Sequence, residues 1–326
     1  MKLASLKEGG RDGTLVVVDA GLRRAVRVPW IAATLQQALE RWNETQPLLA
    51  AVAEELEAGK RDDALAFDPA QAASPLPRAF QFLDGSVYLH HMEKARKARG
   101  AAMPPNYKTD PVMYQGLSDH FRGPLEPMLF PDESLDIDYE AEIAVITDEV
   151  PMGTTVENAS KHIVLVLLLN DYTLRALTRT ELPKGFGFLQ AKPTSTFSPV
   201  AVTPNELGEA FDGEKFHLNV RSSINGRKMG EPNAGRDMFF TYPQLIAHAA
   251  RTRTLSAGTI IGAGSISNQD EAAGFGCIAE ARIHEDLTHG EAKTPWLRFG
   301  DRVRIEAFDA SGASIFGAID QPIAQG

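Results

Sequence analysis

The chain of 326 residues holds a single cysteine, Cys277. One thiol excludes an intramolecular disulfide framework and a multi-cysteine zinc site. Its apolar neighbours read as the surroundings of a buried structural thiol. No apolar run reaches the ~18 residues that a membrane span needs. The opening MKLASLKEGGRDG turns polar at once, unlike a secretory signal. A reducing, cytoplasmic setting without a membrane partner is therefore the expectation. Basic residues are the minority, 33 Lys and Arg against 43 Asp and Glu, for a net charge of -10. Nucleic acid is not an expected partner, because a phosphate-backbone binder needs a basic face. The nucleophile-elbow Gly-x-Ser-x-Gly and the zinc motif His-Glu-x-x-His are both missing. TIIGAGSIS, at 259–267, enters a Gly-x-Gly turn, but Ser267 stands where a third glycine would. No amphipathic helix follows, so a dinucleotide site is excluded. The remaining composition, 43% hydrophobic and 23% charged, is that of a globular protein.

Residues 1–28 read as short strands, with TLVVVD at 14–19 and a second run at 25–28, separated by Gly21. Residues 34–57 have helical spacing, broken or restarted at Pro47. A Pro-, Ala- and Asp-rich stretch then marks a boundary near 68–78. The expected organisation is a small N-terminal domain, 1–75, and a catalytic domain, 76–326. In the second part, β-like runs alternate with turns at 139–147, 199–203, 216–225, 258–261, 277–283, 301–308 and 314–319. Helices are expected at 156–168 and 242–251. Many strands with few helices point to an α+β, β-rich roll or barrel rather than a doubly wound sheet.

The chemistry-bearing residues begin in IDYEAEIAVIT, at 137–147. In a strand, Glu140 and Glu142 share one face. That is a solvated edge, or part of a site for a hard cation such as Mg²⁺ or Ca²⁺, which favour oxygen ligands. The apolar run IVLVLLL ends at Asn170-Asp171, so Asp171 is either a turn residue or an acid at the rim of a core. Asp84 lies in FQFLDGSVYLHH, with His90 and His91 following. Arg175 comes four residues after Asp171. Lys192 precedes a hydroxyl-rich turn with Ser195, Thr196 and Ser198. Basic groups beside acids form salt bridges, and beside a metal they also stabilise developing negative charge.

Taken in order, IDYEAEIAVIT, LNDYTLRAL, KPTSTFSPV, AGTIIGAGSISN with CIAEARI, TPWLRFGDRVRIE and IFGAIDQ resemble the fumarylacetoacetate hydrolase family. The resemblance runs from about Phe80 to Ile323, and the first ~80 residues resemble the small N-terminal domain of its longer members. It implies a mixed β-roll catalytic domain and a homodimer. It implies metal ligands at Asp84, Glu140, Glu142 and Asp171, for Mg²⁺ or Ca²⁺, with Mn²⁺ possible by ligand type. His91 becomes the general base, with Glu280 as its partner glutamate. Arg175 and Lys192 become the active-site cations, while Tyr114, Ser265 and Thr196 become substrate-side residues. The implied reaction is metal-dependent hydrolysis of a carbon–carbon bond in a 1,3-diketo acid, first of all fumarylacetoacetate. Acylpyruvate hydrolysis and oxaloacetate decarboxylation are the family's alternatives, and a non-catalytic metal-dependent binding protein is the alternative of another class. Two departures stand out. Thr178 occupies the place of the family's glutamine, and Pro193-Thr194 follows the lysine where Gly or Ser then Phe is usual.

Overall fold

The computed structural model describes residues 1–98, 100 and 102–326. The N-terminal segment forms β1 (Lys2–Leu6), β2 (Thr14–Val18), β3 (Arg24–Arg27), α1 (Leu35–Leu39), α2 (Trp42–Glu57) and β4 (Leu65–Ala66). Next come β5 (Phe82–Gly85), α3 (Leu89–Ala98), β6 (Met113–Gln115), β7 (Met128–Phe130), β8 (Ile137–Asp138) and β9 (Ala141–Thr147). They are followed by α4 (Val156–Ala159), β10 (Ile163–Asn170), β11 (Thr173–Leu174), α5 (Arg175–Glu181), β12 (Thr196–Phe197) and β13 (Ala201–Val202). The chain closes with β14 (Val220–Ile224), β15 (Arg227–Gly230), α6 (Tyr242–Ala249), β16 (Ile260–Gly262), α7 (Ile278–His289), β17 (Arg302–Ala307) and β18 (Ile319–Gln325).

The largest sheet runs β4-β3-β2-β1-β13-β10-β9-β16-β5-β6, with β12 also paired to β10. A second sheet runs β15-β14-β17-β18-β7, and β8 pairs with β11. The pairings are antiparallel except β16 with β5 and β18 with β7. The N-terminal strands join the main sheet directly, because β1 pairs with β13. The central strands are buried on both faces, as their unbroken apolar runs require. Leu165, Leu167 and Leu169 enter one core with Leu35, Leu49 and Val52, while Val166 and Leu168 enter another with Tyr242 and Leu245.

Four local expectations are corrected. The run 156–168 is helical only at its start. Ile163–Asn170 is a strand between β9 and β13, since a continuous apolar run fits a buried strand as well as a helix. Residues 277–283 are not a strand but the start of α7, which buries Ile278, Glu280 and Ala281 along one side and ends at Gly290 in the left-handed conformation, φ 75°. The break in 34–57 falls between α1 and α2 at Glu40 and Arg41, and Pro47 sits inside α2 near its start. The final strand begins only at Ile319, because Gly317 makes a turn at φ 73° within the run 314–319.

Candidate active site

Three acids meet at one end of the main sheet. Asp84 on β5 lies opposite Gly262 on β16, and Gly262 lies opposite Ala144 on β9. Glu142 is two residues from Ala144 and opposite Leu169 on β10, and Asp171 is two residues beyond Leu169. Alternation along each strand therefore turns Asp84, Glu142 and Asp171 to the same face. Their carboxylate oxygens come within 4.8 Å of one another, and all three residues are buried. Gly262 makes room for them. A Cβ there would run into Asp84 Oδ1 and stand 3.2 Å from Glu142 Oε2. The Gly264 N–H donates to Asp84 Oδ1 at 3.0 Å and to Glu142 Oε2 at 3.1 Å. Gly264 has φ 83°, which turns that N–H into the cluster at no steric cost.

Fully ionised, the cluster would carry more negative charge than the protein alone offsets. Burial, with Asp171 nearby, pushes the Asp84 carboxyl up to about 8. Burial and then Asp84 and Asp171 push Glu142 well above the usual carboxylate range. Glu142 Oε1 is buried with no hydrogen-bond partner. Three crowded carboxylates, one with a free oxygen, and a glycine that clears the space beside them form a donor set suited to a hard divalent cation.

Glu140 lies just outside that group. Its Oε1 accepts from Thr173 Oγ1 at 2.6 Å, Arg175 Nη2 at 2.7 Å and Lys192 Nζ at 3.1 Å, while its Oε2 accepts from Ser265 Oγ at 2.6 Å. Burial alone would raise this carboxyl, but Lys192, Arg175 and the two hydroxyls outweigh it and hold Glu140 ionised. The structure thus places this sequence-expected ligand as the anion between two cations. Lys192 also donates to Asp171 Oδ2 at 2.5 Å and to the Asp171 carbonyl at 3.1 Å. Burial pulls its ammonium down, yet Asp171 and Glu140 prevail and keep it charged. Tyr114 on β6 donates to Asp171 Oδ2 at 2.5 Å, and its ring lies 5.5 Å from Lys192 Nζ.

A second group comes from α3 and α7. His91 Nδ1 is 3.6 Å from Glu280 Oε1, and His90 Nε2 is 2.8 Å from Ser267 Oγ. Ser267 Oγ in turn donates to Glu280 Oε1. Burial raises the Glu280 carboxyl, but His91 and Ser267 more than compensate and leave it below its ordinary value. The N-terminus of α7 is pinned by Asp138, which accepts from Ile278 N at 2.8 Å and Ala279 N at 3.0 Å. Asp138 also accepts from Arg175 Nε at 2.8 Å, so one buried carboxylate ties α7 to the cation beside Glu140. A cleft of about 280 Å³ brings the two groups together, lined by Asp84, His91, Tyr114, Glu140, Arg175 and Lys192.

Ser265, expected on the substrate side, donates to Glu140 and lines the cleft. Thr196 does not reach the acids. Its hydroxyl turns to Met128 Sδ at 3.4 Å, and Ser195 instead donates to Asp171 Oδ1 at 2.7 Å. Adjacent residues point to opposite sides of extended chain, so only one of the pair can face the site. Thr178 bonds back to the Arg175 carbonyl at 2.8 Å. Asp138, Thr173 and Ser267 were not singled out by sequence reasoning. For Asp138 a signal existed, because the alternation of Glu142 and Glu140 continues two residues further back. Thr173 and Ser267 carry no comparable mark.

A fold of packed sheets with buried acids, paired cations and a His–Glu pair beside one cleft is an enzyme-like architecture. The C-terminal model of fumarylacetoacetate (FAA) hydrolase matches residues 81–324, and fumarylacetoacetase N-terminal domain 2 matches residues 1–78. The chain belongs to the fumarylacetoacetate hydrolase family. Among curated relatives, the 2,4-didehydro-3-deoxy-L-rhamnonate hydrolase of Sphingomonas sp. (strain SKA58) is 27% identical over 205 residues, spanning 60% of this chain and 69% of that one. A mitochondrial oxaloacetate tautomerase of Xenopus laevis is 26% identical over 151 residues, 46% of each chain. Among solved structures, maleylpyruvate hydrolase from Sphingobium sp. SYK-6, in complex with manganese (II) ion and pyruvate, superposes with a TM-score of 0.66 over 100% of both chains at 17% identity. The last likeness is one of fold.

Proposed function

We propose that this protein hydrolyses a carbon–carbon bond of a 1,3-diketo acid, with a divalent cation held by Asp84, Glu142 and Asp171. The observation that carries the reading is His91, 3.6 Å from Glu280, lining the same cleft as Asp84 and Glu140. Support for the cation comes from the unpartnered Glu142 oxygen and from the manganese complex of the maleylpyruvate hydrolase. When bound, such a cation supplies Lewis-acid stabilisation of the enolate that leaves when the bond breaks.

The chain's own groups do the rest. His91 takes a proton from the attacking water, and Glu280 orients the imidazole and offsets its charge. Lys192, kept charged by Asp171 and Glu140, is a fixed cation for an anionic oxygen of the substrate. Arg175 is committed to Asp138 and Glu140, so its part is to hold Glu140, and through it Lys192, in place. Fumarylacetoacetate is the first substrate to test, followed by acylpyruvates and oxaloacetate.

The relative named oxaloacetate tautomerase supports a second reading, proton transfer without water attack. His91→Ala separates the two. For a hydrolase, the loss of diketo-acid absorbance should slow by about 10²–10⁴-fold, and chelation should abolish it until a divalent cation is restored. Full hydrolysis by His91→Ala, or by thoroughly chelated protein, would overturn the proposal. We also propose a homodimer, to be read by light scattering as twice the chain mass; a monomeric mass refutes it.

A further inference from the structure

Beyond the cleft lies a second cavity of about 430 Å³ between α5 and α7. The two share a wall formed by His91, Ala95, Arg175, Thr178 and Leu182. The second cavity also holds a cation that the catalytic groups do not use. Arg282 lies with its guanidinium 4.6 Å from the centre of the Trp296 ring and donates from Nη1 to the Thr294 carbonyl. Among the described residues, no carboxylate stands within ion-pair distance of it. Glu285 on the same helix feels the charge of Arg282 but makes its hydrogen bonds to Lys293 N, Thr294 N and Thr294 Oγ1, at 2.6, 2.8 and 2.6 Å. Asp286 is exposed and lines the cavity. The other cations lining this cavity are paired, Arg179 with Asp136 at 3.1 Å and Arg175 with Asp138 and Glu140 at 2.8 and 2.7 Å.

We infer that this cavity is the subsite for the acyl end of the substrate, and that Arg282 selects an acyl chain ending in a carboxylate. With its guanidinium over the Trp296 ring and Nη1 on the Thr294 carbonyl, Arg282 keeps its remaining donors in the planar guanidinium fork, the arrangement that a carboxylate accepts in two parallel hydrogen bonds. Arg282 is half-buried, so a bond made there is screened less than one on open surface. The shared wall places this subsite next to the reacting centre. The inference rests on the hydrolase reading, and it narrows the substrate class to diketo acids with a second, distal carboxylate.

The test uses the metal-loaded full chain and acylpyruvates with acyl chains of increasing length, each made with an ω-carboxylate and with the isosteric ω-amide. The parent should prefer the carboxylate at one length. Arg282→Gln should lower the carboxylate-over-amide ratio of kcat/KM by on the order of tenfold, through KM rather than kcat, since a charged hydrogen bond is lost. Arg282→Lys should recover part of it, and thermal melts establish that both variants fold. Equal use of carboxylate and amide by the parent, or a ratio unmoved by Arg282→Gln, overturns the subsite. Calorimetric binding of the same pairs keeps the two proposals apart. If nothing is hydrolysed, yet the carboxylate binds more tightly and Arg282→Gln removes the difference, the subsite stands and the hydrolase reading falls.

Discussion

Asp138→Asn changes one atom in the buried carboxylate that joins the two halves of the site. Asp138 is fully buried, and its oxygens accept three hydrogen bonds: Ile278 N to Oδ1 at 2.8 Å, Ala279 N to Oδ2 at 3.0 Å, and Arg175 Nε to Oδ2 at 2.8 Å. An asparagine has one acceptor oxygen, so whichever way its amide turns, an NH₂ group faces at least one N–H. Breaking a buried ion pair costs about 3–5 kcal/mol. Arg175 keeps Glu140 as a partner, which places the expected loss near the lower end, about 3 kcal/mol. The consequence is local as well as global. Ile278 and Ala279 are the first two residues of α7 and Glu280 is the third, so freeing that turn loosens Glu280 against His91. Urea unfolding should show the loss in stability. Under conditions where the variant stays folded, diketo-acid hydrolysis should fall while cation binding at Asp84, Glu142 and Asp171 persists. A variant that unfolds with the parent and turns over substrate at the parental rate would refute the reasoning, since Asp138 would then anchor nothing.

Gly262→Ala forces a Cβ onto Asp84 Oδ1, and overpacking a rigid site costs about 1–3 kcal/mol; calorimetry with Mn²⁺ should show weakened binding, and parental affinity would contradict the steric argument. Ser195→Ala should lower activity by removing a hydrogen bond to Asp171, whereas Thr196→Val, losing only a weak contact to Met128, should leave kcat/KM near that of the parent. Glu181 accepts from Leu189 N, Gln190 N and Ala191 N at 3.1, 2.8 and 3.0 Å, and so braces the loop that leads to Lys192. Burial raises its carboxyl, but those N–H groups prevail and hold it below the ordinary value of 4.5. A depressed carboxyl stabilises the fold above its unfolded-state value, and the contribution disappears as the pH falls through the lower folded-state value. Glu181→Gln should therefore destabilise the protein near neutral pH and lose less further stability below pH 4.5 than the parent; parallel acid-unfolding curves would count against this.

Much of this arrangement is legible from local pattern alone. The turn signals and short runs place the N-terminal strands β1–β3 and the later β9, β13, β14, β16 and β17, and the motif order carries the family resemblance. The acids Asp84, Glu142 and Asp171, the pair His91 and Glu280, and the cations Arg175 and Lys192 are all named by sequence and all reach one region. The misreadings have physical causes. IVLVLLL carries no period that distinguishes a buried strand from a buried helix. CIAEARI has inward residues at 278 and 281, a helical spacing that a short window confuses with alternation.

What the sequence determined by itself is the inventory: a set of acids beside two cations and a single cysteine, with the pairing of His91 and Glu280 implied by the family resemblance. What the tertiary structure alone decided is the division of labour. Alternation sets Glu140 and Glu142 on a common face, yet the strands and loops around them give the two different partners. Glu142 faces Asp84 and the cleared space at Gly262, while Glu140 meets Lys192, Arg175, Thr173 and Ser265. The same holds for Ser195 over Thr196, and for the role of Asp138. Each depends on which chain segment, distant in sequence, lies across from the side chain, and local periodicity carries no information about that.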